Sequence, residues 1–221
     1  MANLSTSFAT ESVHRDDLSA NYNLQTLALY KNSFGTVEMQ KSLFKDLIPC
    51  LKALRHLSVP SNNLGSSVVP EITQCIIASN ENAQQGLIET LNIGNNLFTP
   101  SELLSLSRIA LTSGSLPKLK KLVIAFSDLG DGAEYVGGSL CQLLKESTAG
   151  RLEELDVRCC GLKLSEMQVL RQALILNKNL KIRQINAGLN QFNQEQLRGL
   201  IKEEASNGKK SEEQNLSEYT R

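Results

Sequence analysis

LRHLSVPSNNL at residues 54–64 and IETLNIGNNLF at residues 88–98 follow one apolar pattern, L-x-x-L-x-L-x-x-N-x-(L/F). The pattern recurs upstream as LQTLALYKNSF from Leu24, and downstream as LKKLVIAFSDL from Leu119, LEELDVRCCGL from Leu152 and IRQINAGLNQF from Ile182. The six copies start 30, 34, 31, 33 and 30 residues apart. A period this long, with a strand signal in every copy, describes a solenoid whose units bury their apolar faces only by stacking on one another.

Each position has a physical meaning. Leu27 and Leu29 are two residues apart, so on a strand they share one face, while Thr26, Ala28 and Tyr30 share the other. The ninth position reads Asn32, Asn62, Asn96, Ser127, Cys160 and Asn190. It falls where the chain leaves the strand, and a small polar side chain there can bond backbone groups that the turn leaves open.

Helical signals fill the intervals. Thr99-Pro100-Ser101-Glu102 is a capping box with proline in the first turn, followed by Leu103, Leu104, Leu106, Ile109, Ala110 and Leu111 at helical spacing. Ser165 before Glu166-Met167-Gln168 and Asn193 before Gln194-Glu195-Gln196 predict two further boxes. The expected fold is therefore α/β: a leucine-rich repeat horseshoe of six strand-turn-helix units, with a parallel sheet on the concave side and helices on the convex side. On these six copies the chain resembles the ribonuclease-inhibitor-like class of leucine-rich repeats. Proteins of similar repeat class include the ribonuclease inhibitor, the Ran GTPase-activating protein, tropomodulins, immune-sensor receptors and Tonsoku-type chromatin scaffolds.

The repeats place one domain at residues 21–206, between a flexible N-terminal segment at 1–20 that can supply a partial cap and a flexible polar tail at 207–221. The last helix carries Gln194, Glu195, Gln196, Lys202, Glu203 and Glu204 around a narrow apolar stripe, as a terminal cap should. At the front, Leu24, Leu27, Leu29 and Phe34 form an edge that needs covering, by the N-terminal segment, a second copy or a neighbouring domain. The expected state is a monomer or a dimer through that edge.

Composition narrows the function. Lys plus Arg and Asp plus Glu both number 23, so no strong field favours nucleic acid or anionic lipid as a partner. No apolar run approaches the roughly 18 residues of a membrane span. Five cysteines without a framework spacing fit a reducing, intracellular compartment, cytoplasmic or nuclear.

Motifs with chemical overtones read as structure. Gly130-Asp131-Gly132 opens like a dinucleotide loop, but the third glycine position holds Tyr135. Cys160 occupies the turn position, and Cys50, Cys75 and Cys141 sit among apolar neighbours in helical stretches. With only His14 and His56 in the chain, neither a Cys/His dyad nor a Cys/His zinc site is expected. The expectation is no catalytic residue, no metal and no cofactor.

What remains is the wet side of the strands. Tyr30 and Phe126 are aromatic where most neighbours are small or polar, and Lys121, Glu154, Asp156 and Arg158 form a charged cluster on adjacent strands. Lys31, His56 and Asn92 complete the candidate face. Leu155 is expected to point inward and Asp156 outward into solvent. The function this implies is a non-enzymatic interaction module or scaffold that holds a protein partner in the horseshoe. The alternatives are a regulator resembling the Ran GTPase-activating protein, which the mixed-charge tail disfavours, and the repeat portion of a larger sensor or chromatin or cytoskeletal scaffold. A tropomodulin-like reading is disfavoured by an N-terminal segment too short for that family's tropomyosin- and actin-binding stretches.

Overall fold

A computed structural model describes residues 23–32, 34–81, 88–112, 115–130, 136–147, 150–193 and 195–196. The N-terminal segment to residue 22, Asp131 to Tyr135, and the expected last helix and tail beyond residue 196 lie outside them. Six three-residue strands form one parallel sheet in chain order: β1 Thr26–Ala28, β2 His56–Ser58, β3 Thr90–Asn92, β4 Lys121–Val123, β5 Glu154–Asp156 and β6 Gln184–Asn186. The register follows the repeat residue for residue, as in Leu57 beside Leu91, Leu91 beside Leu122 and Leu122 beside Leu155. The chain is a leucine-rich repeat solenoid.

Between strands the chain returns through helices: α1 Val37–Ser42 continuing into α2 Ile48–Cys50, α3 Val69–Glu81, α4 Pro100–Thr112, α5 Gly137–Glu146 and α6 Leu164–Leu176. The join between α1 and α2, Leu43–Leu47, is a π-helical turn. Pro49 lies two residues past it. Its ring cannot approach the carbonyl four residues back, and widening the preceding turn relieves that clash.

The core lies between the sheet and the helices. Leu57, Leu91, Leu122 and Leu155 are buried from the strands, and Leu64, Leu103, Leu106, Leu119, Leu140 and Leu170 close over them. The first repeat differs: Leu27, Leu29 and Phe34 are half-buried and Leu24 is exposed. Among the described residues, therefore, the front edge of the stack is open.

The ninth position works as a ladder. Asn62 Nδ2 donates to the Leu29 carbonyl at 2.7 Å while its Oδ1 accepts the Asn32 N–H at 2.7 Å. Asn96 repeats this toward Val59 and Asn62, and Asn190 toward Val157 and Cys160. Cys160 imitates the asparagine, donating its thiol to the Ile124 carbonyl at 3.3 Å. Ser127 is too short to do so, and its buried hydroxyl has no partner.

Two of the three predicted caps form. Thr99 and Glu102 exchange bonds of 2.9 and 3.3 Å, and Asn193 and Gln196 exchange bonds of 2.8 Å. The Ser165 cap is displaced by two residues. α6 begins at Leu164, and Glu166, at its third position, accepts the Lys163 N–H at 2.9 Å, with the Ser165 hydroxyl on its other oxygen. Lysine offers no acceptor in return, so only half of the box is built.

Candidate functional site

The helix-free, concave face carries two rows fixed by the strand register. One runs Thr26, His56, Thr90, Lys121, Glu154, Gln184 and the other Ala28, Ser58, Asn92, Val123, Asp156, Asn186. Neighbours along the rows bond to one another. His56 Nδ1 is 3.0 Å from Thr90 Oγ1, Asn92 Nδ2 donates to Ser58 Oγ at 3.1 Å, and Lys121 Nζ meets Glu154 Oε1 at 2.7 Å. Asn186 also donates to Glu154 Oε1, at 3.1 Å.

The four predicted charges are together, but one is not where it was expected. Asp156 is 3 % exposed, not wet. Arg158 folds back and places its Nε and Nη2 on both carboxylate oxygens at 2.7–3.1 Å, and the Arg158 backbone N–H adds a bond of 3.2 Å. Alternation assigned the face correctly; it could not foresee that a long side chain two residues on would lie across the carboxylate. Val123, Ala125 and Asn186 are buried on the same face.

Both predicted aromatics stand clear of this floor. Tyr30 is 59 % exposed with Lys31 Nζ 5.3 Å from its ring centre, and Phe126 is 47 % exposed with the Arg158 guanidinium at 5.9 Å. β1 and β4 are three strand steps apart, about 14 Å. Pro60 and Gly94 hold the position equivalent to Tyr30 in the two intervening repeats. Gly94 is required, since a Cβ there would collide with the Ala125 carbonyl oxygen.

Two features escaped the sequence reading. At the eighth position of every copy the backbone is left-handed: Lys31, Ser61, Asn95, Phe126, Cys159 and Leu189 have φ of 53, 59, 50, 58, 52 and 60°. In the first five copies a backbone bond to the next repeat accompanies it. Phe126 donates its N–H to the Arg158 carbonyl at 2.7 Å, Asn95 to Ala125 at 2.9 Å and Cys159 to Gly188 at 3.0 Å. Only Asn95 is a residue type that favours this conformation, so composition carried no signal. The second feature did carry one. The second position alternates Arg55, Glu89, Lys120, Glu153, Arg183, and Glu89 is clasped by Arg55 at 2.8 Å and Lys120 at 2.7 Å. The Lys120 bond, helped by Arg55 and opposed by desolvation, holds the Glu89 carboxyl below the usual glutamate value.

The thiols behave as structure. Burial pushes Cys75, Cys141 and Cys160 up to about 12, which keeps them neutral near pH 7. Cys50 departs from the expected core position: it is half-buried at the end of α2, its thiol on the Asp46 carbonyl at 3.0 Å. Cys159 is exposed. Among the described residues no three His, Cys, Asp or Glu side chains are grouped to hold a metal, and no helix is long and apolar enough to cross a membrane.

No family model matches the chain, and no curated protein matches it. Solved structures do. The tropomodulin C-terminal domain from Caenorhabditis elegans superposes with a TM-score of 0.55 at 16 % identity, over 74 % of this chain and 90 % of that one. The Leiomodin-1 Actin-Binding Site 2 domain superposes with a TM-score of 0.55 at 14 % identity, over 87 % of this chain and 95 % of that one. At these identities the likeness is one of fold.

Proposed function

We propose that this protein is a non-enzymatic interaction module that holds a protein partner against the concave face of its repeats, within a domain spanning residues 21–206. The observation that carries the reading is the pair of exposed aromatics, Tyr30 at 59 % and Phe126 at 47 %, raised beside a floor of small and internally paired polar groups. A desolvated aromatic beside a guanidinium is the composition of an interface anchor. The floor charges are already paired, so they select by repelling a mismatched partner more than by attracting a matched one. The repeat length supports the ribonuclease-inhibitor-like class.

Actin is the first partner to test, because one protein of similar fold is an actin-binding site by name. Co-sedimentation with filaments and cross-linking to monomers test it directly, and affinity capture from lysate tests other proteins. Tyr30→Ala or Phe126→Ala should weaken the complex by about 1–2 kcal/mol without unfolding the array. Binding untouched by either change, or by reversing Lys121 or Glu154, would remove the concave face from consideration. Stimulated GTP hydrolysis on adding the array to a small GTPase would replace this reading with the regulator.

A further inference from the structure

The six left-handed residues form a row along one rim of the sheet, stepping from strand to strand by about 4.8 Å. The row changes character halfway. Lys31, Ser61 and Asn95 are polar, whereas Phe126, Cys159 and Leu189 turn ring, sulfur and methyl groups to solvent; Leu189 is 75 % exposed, the highest value among the exposed large apolar residues. Bulky side chains rarely adopt this backbone, and here they adopt it where burial gives nothing in return.

Charge divides along the same line. Below the apolar half, Lys121 is paired with Glu154 and Arg158 with Asp156, so that end is locally neutral. Lys31, at the other end, makes no ion pair among the described residues. Five strand steps separate Lys31 from Leu189, about 24 Å.

Resting on the protein-binding reading above, we infer that this rim docks an amphipathic α-helix of the partner, its apolar stripe on Phe126, Cys159 and Leu189 and an acidic side chain at the Lys31 end. The charge pattern selects the orientation, because an acid gains at Lys31 and gains nothing over the paired floor. The spacing selects the secondary structure. A helix presents one apolar residue per turn of about 5.4 Å, which stays within about 1.2 Å of the rim over two steps. An extended segment presents same-side residues about 6.7 Å apart and drifts by about 4 Å over the same distance. A helix of about 16 residues covers the row.

The probe is a synthetic 20-residue helical peptide with leucines at i, i+4 and i+7 near one end and two glutamates on the same face at the other. Its binding to the full chain is read by fluorescence anisotropy. It should bind about tenfold more tightly than a peptide of equal composition with alternating leucines, and Phe126→Ser or Leu189→Ser should each weaken it about tenfold. Leu189→Gly, which removes the side chain while relaxing the backbone, should weaken it equally and so separates contact from misfolding. Lys31→Glu should reverse the preference in favour of a peptide with lysines in place of the glutamates. Equal binding of the alternating peptide, or indifference to all of these variants, overturns the inference. So does self-association of the chain that Leu189→Gly abolishes, which would give the rim to a second copy. If a captured partner still depends on Tyr30, Phe126 or Lys121 while the Leu189 variants bind it normally, the rim inference fails and the concave-face reading stands. If neither set matters, both fail.

Discussion

The guanidinium of Arg158 holds the carboxylate of Asp156 through three bonds of 2.7–3.1 Å, covering an acid that strand alternation had assigned to solvent. Asp156 is therefore part of the architecture of β5. Asp156→Ala should cost about 1–3 kcal/mol in urea unfolding, because it strips Arg158 of its partner and the backbone N–H of a bond. Leu155→Ala beside it should cost about 2–5 kcal/mol by opening a cavity in the core. A cost near zero for Asp156→Ala would return the carboxylate to solvent.

The ladder predicts an unusual pair of outcomes. Asn62→Ala removes bonds to Leu29, Pro60 and Asn32 and should destabilise by about 1–3 kcal/mol. Ser127→Ala, at the same position two repeats on, should be neutral or stabilising, because it deletes a buried hydroxyl without a partner. Ser127→Asn should raise the unfolding midpoint if the wider side chain completes the ladder, and a crystal structure of that variant would show its amide reaching the neighbouring repeat.

Strain on the rim should be measurable as stability. Leu189→Gly should gain about 0.5–1 kcal/mol, since glycine adopts a φ of 60° without the Cβ penalty while giving up some of that gain to a more flexible unfolded chain. Leu189→Ala keeps the penalty and should not share the gain. A thermal unfolding pair that ranks alanine above glycine would show that the left-handed backbone is relaxed.

Glu89 predicts a pH dependence whose sign follows from its partners. Its folded-state value is depressed by Lys120 and Arg55. The stabilisation is then fully present above the ordinary glutamate value of about 4.3 and is lost as pH falls through the lower folded value. The stability gap between the wild-type chain and Glu89→Gln should be constant from pH 7 to about 5 and close below about 4.3. High salt should shrink it wherever the carboxylate is ionised, because the clasp is partly exposed.

Much of the face was legible in advance because strand periodicity is a strict rule. Leu57, Leu91, Leu122 and Leu155 had to point one way, so Tyr30, His56, Asn92, Lys121 and Glu154 had to point the other. The thiol of Cys160 could be assigned because the ninth position has one structural task, and the Thr99 and Asn193 caps because their bonds close within four residues. The Ser165 cap failed on a local ambiguity, since Glu166 serves whichever N–H precedes it by three. Glu89 was missed although the alternating signs at the second position were visible, because no apolar pattern drew attention to them.

The six-fold period, the strand register and the inward and outward faces follow from local periodicity that repeats across every interval, so they could be read from the residues alone. What the outward side chains do with one another was settled by packing in three dimensions. Arg158 lies on Asp156, Phe126 lies beneath Arg158, and Leu189 stands on a left-handed backbone held in place in the repeats before it by bonds to the next strand. The Phe126–Arg158 contact and the rim bonds join residues about thirty positions apart in sequence, and the Arg158–Asp156 clasp depends on how a long side chain folds back over two residues; neither is encoded in the alternation of a single strand.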